Sequence, residues 1–317
     1  MVSFDRLFFS VTLRKTTVNR NSERFTFNPK TNEYRYNSMG SKRRGNNKLV
    51  ITIKGHDMTF DFTSKILNER MIELINKDNI RDCLNNIKAR NIINFDVDYV
   101  LHNADVIAAD VTKDIEVDAS WIDQLSYYTS VHVKNSRKYT IDHYGDRLIL
   151  RKLSGVSDKR YRRSMAVYDK YYELKRNHCS SQNVLEHYRG VWRIERKLQT
   201  KKEIREALHL VSSKHISLLE VLNAEANPLT ELYTQMVDIE PHSIIYTDVK
   251  THRIGLLVEH CQWNIKKIEE VLRRTHKSFY RKMLIPYQDF IDNHNDYTAT
   301  QLVKQITDFF DTSDCSP

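Results

Sequence analysis

Three carboxylates alternate with other residues along one short stretch of the sequence, 110–116. Successive side chains of a β-strand point to opposite faces, so Asp110, Asp114 and Glu116 would share one face, with Thr112 between them. Carboxylates gathered on one face repel each other unless water or a cation neutralises them, and oxygen ligands of this kind suit Mg²⁺ or Mn²⁺. The stretch predicts either a metal-binding strand or an edge strand whose acidic face is solvated.

A Tyr-x-Lys segment follows a basic stretch, at Tyr168 and Lys170. Alternation places both side chains on one face of a strand, with Met165 and Val167 toward the core. A phenol has an unperturbed pKa of about 10 and is a weak nucleophile unless a base, a cation or a metal activates it. A lysine two residues further on would stabilise the negative charge of a transferring phosphoryl group. Taken alone, the tripeptide is common and is equally compatible with an ordinary strand.

A third segment, 192–198, also alternates between apolar and charged residues. Its apolar residues would be buried, which leaves the other face with Arg193, Glu195 and Lys197. A carboxylate between two cations is either part of an ion-pair ladder or directed at a metal or a catalytic lysine. The residues of this segment leave both interpretations open.

The elements that must position these segments follow from hydrophobic periodicity and capping residues. Strands are predicted at 4–13, 48–54, 58–62, 95–101, 106–117, 138–143, 147–153, 163–168 and 191–198. Between the first two of these strands, residues 18–47 are polar and predict a long hairpin or loop. Helices are predicted after Ser64, Asp78 and Asp118 and over 172–189, 203–211, 217–222, 229–237, 264–283 and 300–310. We therefore predict an α+β fold with a strand-rich domain at 1–202 and a mainly helical domain at 203–317.

The positive charge of the chain is concentrated in one region. The 317 residues include 50 Lys and Arg against 41 Asp and Glu, a net charge of +9. Residues 134–205 hold 20 of the basic and 8 of the acidic residues, a balance of +12, which leaves 30 basic and 33 acidic residues, a balance of −3, elsewhere. A local excess of this size is typical of a surface that binds a polyanion. The alternative is a solvated surface whose counter-charges come from other parts of the fold.

The composition argues against several classes of protein. The mean hydropathy is −0.59, and no apolar run is long enough to predict a membrane span or a signal peptide. The four cysteines are too scattered for a zinc ribbon or a disulfide framework and predict a reducing, cytoplasmic location. Glycine-rich nucleotide loops, the G-x-S-x-G elbow and the H-E-x-x-H motif are also missing from the sequence.

In their order and spacing the three segments resemble the rolling-circle replication initiators of filamentous phages and small plasmids, the gene II type. That family has a carboxylate strand, then a basic stretch that runs into Tyr-x-Lys, then a strand of the form apolar-Arg-apolar-Glu. The matching segments are Asp110-Val-Thr-Lys-Asp114, Arg160–Lys170 and Trp192-Arg193-Ile194-Glu195. The resemblance covers residues 100–208. Ala108 stands where members commonly carry Arg, which makes Asp105 a competing candidate for the first carboxylate.

The resemblance implies a role for each matching residue. Tyr168 would be the nucleophile that attacks a scissile phosphodiester, and Lys170 would stabilise charge on the phosphoryl oxygens. Asp110, Asp114 and Glu195 would hold one Mg²⁺ or Mn²⁺ ion. Basic side chains would guide the single strand to the nucleophile, namely Arg151, Lys152, Arg160, Arg162, Arg163 and Arg193.

The function implied by the resemblance is replication initiation by a metal-dependent, site-specific single-strand DNA endonuclease and ligase. This enzyme would start rolling-circle replication through a 5′-phosphotyrosine intermediate, with residues 1–202 as an antiparallel-sheet nicking domain. Its partners would be single-stranded or supercoiled origin DNA and a host helicase and polymerase, with no membrane. One alternative is a mobilisation relaxase or single-strand transposase with the same chemistry. The other is a non-catalytic origin-binding initiator in which Tyr168 is only a strand residue.

Overall fold

A computed structural model describes most of the chain. The described residues are 2–12, 24–38, 49–135, 138–144, 146–152, 164–177, 181–211, 214–239, 248–261, 264–294 and 299–311. They form a large antiparallel sheet and a set of mostly short helices, so the fold is of the α+β class.

Ten strands pair into one sheet within this part of the chain. In chain order they are β1 Phe4–Thr12, β2 Phe25–Asn28, β3 Glu33–Asn37, β4 Leu49–Lys54, β5 Asp57–Thr63, β6 Asp105–Glu116, β7 Tyr139–Tyr144, β8 Arg147–Lys152, β9 Ser164–Asp169 and β10 Val191–Leu198. Their order across the sheet is β2-β3-β4-β5-β1-β6-β10-β9-β8-β7, and every neighbouring pair is antiparallel. The three segments with candidate chemistry therefore lie side by side, as β6, β10 and β9.

The helices follow the same chain order. A 3₁₀-helix spans Ser64–Glu73 and a second one Lys277–Phe279. The α-helices are α1 Ile80–Lys88, α2 Val97–Asn103, α3 Ala119–Val131, α4 Lys170–Asn177, α5 Gln182–His187, α6 Lys201–Leu208, α7 Leu218–Leu222, α8 Pro228–Met236, α9 Val249–His260, α10 Ile265–His276, α11 Tyr280–His294 and α12 Ala299–Phe310. Among the described residues, no helix has both the length and the apolar character needed to cross a bilayer.

The chain divides into two compact units. The first contains Met1–Glu116, Arg137–Tyr233 and Phe310–Pro317, and the second contains Val117–Ser136 and Thr234–Phe309. This division differs from the predicted domains 1–202 and 203–317. Residues 203–233 belong with the sheet because the backbone at Ile216 accepts a 2.8 Å hydrogen bond from Val106 at the start of β6. Residues 117–136 leave the sheet unit directly after β6.

One face of the sheet in the first unit is mainly apolar. Phe9 of β1 packs against Phe60 and Phe62 of β5, with ring centroids 5.4 and 5.9 Å apart. Met165 and Val167 of β9 are fully buried, as their alternation predicts. Because strand side chains alternate, the polar residues of the same strands are left on the opposite face, where the candidate site lies.

The second unit is helical and has its own core. Helices α9, α10 and α11 pack together around a cluster of buried side chains, Val258, Cys261, Ile268, Leu272, Phe290 and Ile291. The predicted run 264–283 is two helices, because α10 ends at His276 and α11 begins at Tyr280.

One predicted strand is a helix. Residues 95–101 were expected to be extended, but α2 begins at Val97, and the Asp96 carboxylate accepts hydrogen bonds from the backbone of Asp98 and Tyr99. These bonds satisfy backbone donors that a helix N-terminus leaves unpaired. The prediction was wrong because a short apolar run with β-branched and aromatic residues does not separate a strand from a buried helix.

Candidate active site

The register of three strands brings the candidate residues together. Arg193 of β10 lies opposite Asp114 of β6 on one side and opposite Tyr168 of β9 on the other. Residues directly opposite each other in neighbouring strands share a face of the sheet. Glu195 lies two residues after Arg193 on the same face, opposite Thr112. The polar face predicted separately for each segment is therefore one continuous surface.

A pocket of about 510 Å³ opens on this polar face. Tyr168, Lys170, Asp110 and Glu195 all line it, and so do residues from β1, β5, β8 and the first 3₁₀-helix. The pairing register of β1 shifts between Phe4 and Arg6, and the successive residues Asp5 and Arg6 both line the pocket. A bulge of this kind is a common way to redirect a side chain beside a functional site.

The Tyr168 hydroxyl is held by a carboxylate. It donates a 3.0 Å hydrogen bond to Oε2 of Glu195, whose Oε1 lies 3.1 Å from the Lys197 ammonium. Burial, followed by the negative charge of Glu195, raises the pKa of Tyr168 well above its usual value. The phenol is therefore protonated at neutral pH and needs a base to attack, and the Glu195 carboxylate is in place to accept its proton.

Lys170 lies just beyond Tyr168 because the chain changes from strand to helix at that point. Strand β9 ends at Asp169, whose carboxylate accepts a 3.0 Å hydrogen bond from the backbone of Tyr172 and so holds the first turn of α4. The buried ammonium of Lys170 donates a 2.9 Å hydrogen bond to Oε2 of Glu173, one turn further on. Lys170 thus begins a helix rather than continuing the strand, but it still faces the pocket.

Arg193 occupies the interior of this region rather than its surface. Its side chain is fully buried, and its Nε and Nη2 donate to the two oxygens of Asp114 at 2.7 and 2.6 Å. Its Nη1 donates to Oδ1 of Asp5 at 2.8 Å, and Nη2 also approaches the Tyr188 hydroxyl at 3.3 Å. A buried guanidinium is tolerated only when its donors are paired in this way. The predicted roles were a DNA contact for Arg193 and a metal ligand for Asp114. In this structure the two side chains pair with each other, and neither lines the pocket.

Asp110 is the carboxylate of the pocket that has no direct partner. Its side chain is 6% exposed and makes neither a hydrogen bond nor an ion pair with the residues that the structure describes. Burial, followed by the charge of Glu195, raises the pKa of Asp110 to about 7. An excess of buried negative charge is an environment that a cation would stabilise.

The residues present fit a divalent cation only in part. No three His, Cys, Asp or Glu side chains in the described ranges converge to hold a metal ion. Asp110 and Glu195 nevertheless face the same pocket, and Mg²⁺ is commonly bound by one or two carboxylates together with substrate phosphates. The competing candidate Asp105 lies elsewhere, where it pairs with Lys201 and accepts a 3.0 Å hydrogen bond from the backbone of Ile216.

The other predicted DNA-binding cations lie in β8 or outside the described residues. Arg151 of β8 pairs with Asp142 across the β7–β8 hairpin. Lys152 is the last residue of the same strand. Arg160, Arg162 and Arg163 lie outside the described residues.

Four cations that the sequence did not indicate line the pocket, namely Arg6, Lys65, Arg147 and Arg176, and Lys197 of β10 lines it as well. Arg147 lies over the Tyr168 ring, with its guanidinium carbon 5.8 Å from the ring centroid. The polar positions of β1 and β8 carried the signal for Arg6 and Arg147. These residues can be assigned to the site only when the strand order is known, because their strands are separated in sequence from β9 or β10.

No protein-family model matches the sequence, and neither curated proteins nor solved structures give a significant match. The chemistry of the site must therefore be argued from its own geometry. That geometry is a tyrosine bonded to a carboxylate, with a second carboxylate and several cations, in one pocket on the polar face of an antiparallel sheet.

Proposed function

We propose that the protein is a metal-dependent, site-specific single-strand DNA endonuclease and ligase that initiates rolling-circle replication. The observation that carries this proposal is the 3.0 Å hydrogen bond from Tyr168 to Glu195, inside a pocket that Lys170 and Asp110 also line. A nucleophile, a proton acceptor, a cation and a free carboxylate are the groups that phosphoryl transfer to a tyrosine requires. The sheet unit would then be a nicking domain of the replication-initiator type.

In the proposed cleavage step the Tyr168 oxygen attacks the phosphorus of one phosphodiester. The phenolic proton passes to Glu195, a bond forms between the tyrosine oxygen and phosphorus, and the bond from phosphorus to the 3′ oxygen breaks. The 3′ oxygen takes up a proton from water and becomes a free 3′ hydroxyl, while the 5′ phosphate stays on Tyr168. Attack by a 3′ hydroxyl on this phosphotyrosine reverses the exchange and rejoins a strand.

The remaining pocket residues would stabilise charge. The Lys170 ammonium lies 5.8 Å from the centroid of the Tyr168 ring, close to where the phosphoryl oxygens would develop negative charge. Asp110 and Glu195 are the residues that would hold Mg²⁺ or Mn²⁺. When bound, such an ion would polarise the phosphate as a Lewis acid.

A covalent-adduct assay tests the proposal. The protein is incubated with Mn²⁺ or Mg²⁺ and a pool of random-sequence single-stranded oligonucleotides, and DNA that stays bound under denaturing conditions is recovered, amplified and selected again. We expect an adduct that is lost with chelator and in Tyr168→Phe. Tyr144→Phe, at the exposed end of β7, is the matched control and should keep the adduct.

The outcome also separates the alternatives. An adduct that persists in Tyr168→Phe would assign the nucleophile to another tyrosine, and peptide mapping would locate it. Non-covalent retention of a selected sequence without any adduct would favour the origin-binding initiator. A mobilisation relaxase or single-strand transposase would form the same adduct, and the genetic context of the selected sequence distinguishes those roles from replication.

A further inference from the structure

Lys65 is a buried cation that faces the pocket without a direct partner. It is the second residue of the 3₁₀-helix after β5, it is 9% exposed, and it lines the pocket. It forms no hydrogen bond and no ion pair with any residue in the described part of the chain. Its neighbour Ser64 fixes this end of the helix, because the Ser64 hydroxyl donates a 2.7 Å hydrogen bond to Asp5.

The carboxylates around it are already paired. Asp5 binds Arg193 at 2.8 Å, and Asp61 binds Arg6 at 2.7 Å. Glu173 binds Lys170 at 2.9 Å, and Glu195 binds Lys197 at 3.1 Å. Each of these four carboxylates therefore has a cation of its own, and none of them lies within ion-pair distance of Lys65.

Lys65 and Lys170 share charged neighbours in the pocket. Both ammonium charges act on Asp5 and on Glu173, so the two lysines lie near the same pair of carboxylates. The same two carboxylates act on Tyr168, and the Lys170 ammonium lies 5.8 Å from the centroid of the Tyr168 ring. Lys65, Lys170 and Tyr168 therefore line one pocket and share the neighbours Asp5 and Glu173.

Two further cations line the pocket. Arg147 lies over the Tyr168 ring, and Arg176 lies on α4 beyond Lys170. Neither arginine forms an ion pair or a hydrogen bond with the residues described by the structure, although both line the pocket. Lys65 is buried without a direct ion pair, and a bound phosphate oxygen would supply one through a charge-assisted hydrogen bond.

We propose that Lys65, together with Arg147 and Arg176, forms a phosphate-binding subsite beside Tyr168. The subsite is defined by its chemistry, a phosphate monoester or diester. Its assignment to the scissile phosphate of a DNA strand rests on the proposed function. In that case Lys65 adds a second ammonium beside Lys170 for the phosphoryl oxygens.

Phosphate binding by the full-length protein tests the subsite without requiring DNA cleavage. Calorimetric titrations would use three probes, namely inorganic phosphate, thymidine 5′-monophosphate and a single-stranded oligonucleotide. Removing one charge-assisted hydrogen bond with Lys65→Met should weaken binding by about tenfold to a hundredfold. Lys65→Arg should restore most of the affinity because it keeps the charge. Lys77→Met, at an exposed lysine in the same region, is the matched control and should bind as the wild type does.

The three probes identify the source of the phosphate. Loss of affinity in the oligonucleotide titration supports a DNA phosphate, and loss confined to inorganic phosphate and the mononucleotide supports a small phosphorylated ligand at the same subsite. Unchanged binding of all three probes by Lys65→Met, or an equal loss in Lys77→Met, would overturn the subsite. A positive phosphate result without a Tyr168 adduct would reject the proposed nicking function and leave the subsite standing.

Urea unfolding separates binding from a structural role. The charge of Lys65 acts on Asp5 and Glu173 without a direct ion pair, so Lys65→Met should lower the urea midpoint only slightly. A clear loss of stability together with unchanged phosphate affinity would show that Lys65 supports the fold, contrary to the proposal.

Discussion

Tyr168 and Glu195 are joined by a hydrogen bond of 3.0 Å between two neighbouring strands, although 27 residues separate them in the sequence. The carboxylate accepts the phenolic hydrogen, and its charge, second to burial, holds the proton on the phenol. Glu195 therefore keeps Tyr168 unreactive at rest and is also the group nearest to its proton. In the proposed reaction this makes Glu195 a general base.

Glu195→Gln should slow covalent adduct formation by about a hundredfold to ten-thousandfold, the usual contribution of a positioned base. The amide keeps the shape of the side chain but does not take up the proton. Quenched time courses with the selected oligonucleotide measure the rate, and fluorescence anisotropy measures binding of the same strand. Glu225→Gln, at an exposed glutamate, is the control. An unchanged rate in Glu195→Gln would remove Glu195 from the reaction.

Arg193→Met should lower the free energy of unfolding by about 3–5 kcal/mol, because it leaves the largely buried carboxylates of Asp5 and Asp114, 18% and 16% exposed, without their partner. Urea denaturation followed by circular dichroism measures the change. Arg189→Met is the control, since its ion pair with Glu186 is exposed to solvent and its loss should leave stability unchanged within error. Equal stability of the two variants would contradict a stabilising role for the ion pairs of Arg193.

Asp110→Asn and Asp114→Asn should have opposite effects on the stability of the fold and on Mn²⁺ binding. Asp110 has no partner among the described residues, so its replacement should preserve or raise stability while weakening the binding of Mn²⁺ in the presence of phosphate. Asp114 is held by Arg193, so its replacement should destabilise the fold and leave Mn²⁺ binding in place. Electron paramagnetic resonance of free Mn²⁺ and urea denaturation give the two quantities. Loss of Mn²⁺ binding in a folded Asp114→Asn variant would instead support a metal site formed by Asp110, Asp114 and Glu195.

The ion pair between Asp5 and Arg193 should make the fold sensitive to acid. Burial raises the pKa of Asp5, but the charge of Arg193, with smaller effects from Lys170, Ser64 and Lys65, outweighs it and holds this pKa far below its usual range. A carboxyl with a lowered folded-state pKa contributes stability above its unfolded pKa of about 4, and this contribution is lost as the pH falls further.

Asp5→Asn measures this contribution directly. The difference in unfolding free energy between wild type and Asp5→Asn should be largest near neutral pH and should shrink progressively below about pH 4. In an Arg193→Met background the same substitution should have a much smaller effect, because the stabilising charge is gone. A difference that stays constant from neutral pH down to pH 2 would refute the assignment.

Much of the sheet could be predicted from the sequence because its strands alternate clearly. The alternation of 164–168 and of 192–198 indicated which side chains share a face of the sheet, and the register agrees with those faces. It did not indicate that Arg193 and Glu195 on the polar face are buried as well. The segment 95–101 was mistaken for a strand because it is too short for its period to decide between strand and helix.

The site could be predicted only as separate segments. Alternation places Asp114 and Arg193 each on a polar face, but it contains no information that the two strands are neighbours or that these residues lie opposite each other. For the same reason the sequence predicts a metal ligand at Asp114 and a DNA contact at Arg193 and does not indicate that the two side chains pair. The sequence does not predict that Lys65 lines the pocket, because this depends on the course of the 3₁₀-helix that follows β5.

The position of β6 between β1 and β10 also determines the order in which the sheet can form during translation. Asp114 and Arg193 are 79 residues apart, so on the ribosome β6 emerges long before its second partner exists. Until β10 has been translated, the nascent chain exposes an unpaired strand edge that other chains can join, and Arg193 is not yet present to neutralise Asp114. Biosynthesis therefore passes through a stage in which this strand edge is unpaired, and no ribosome-bound fragment that ends before Lys197 contains all the residues that line the pocket.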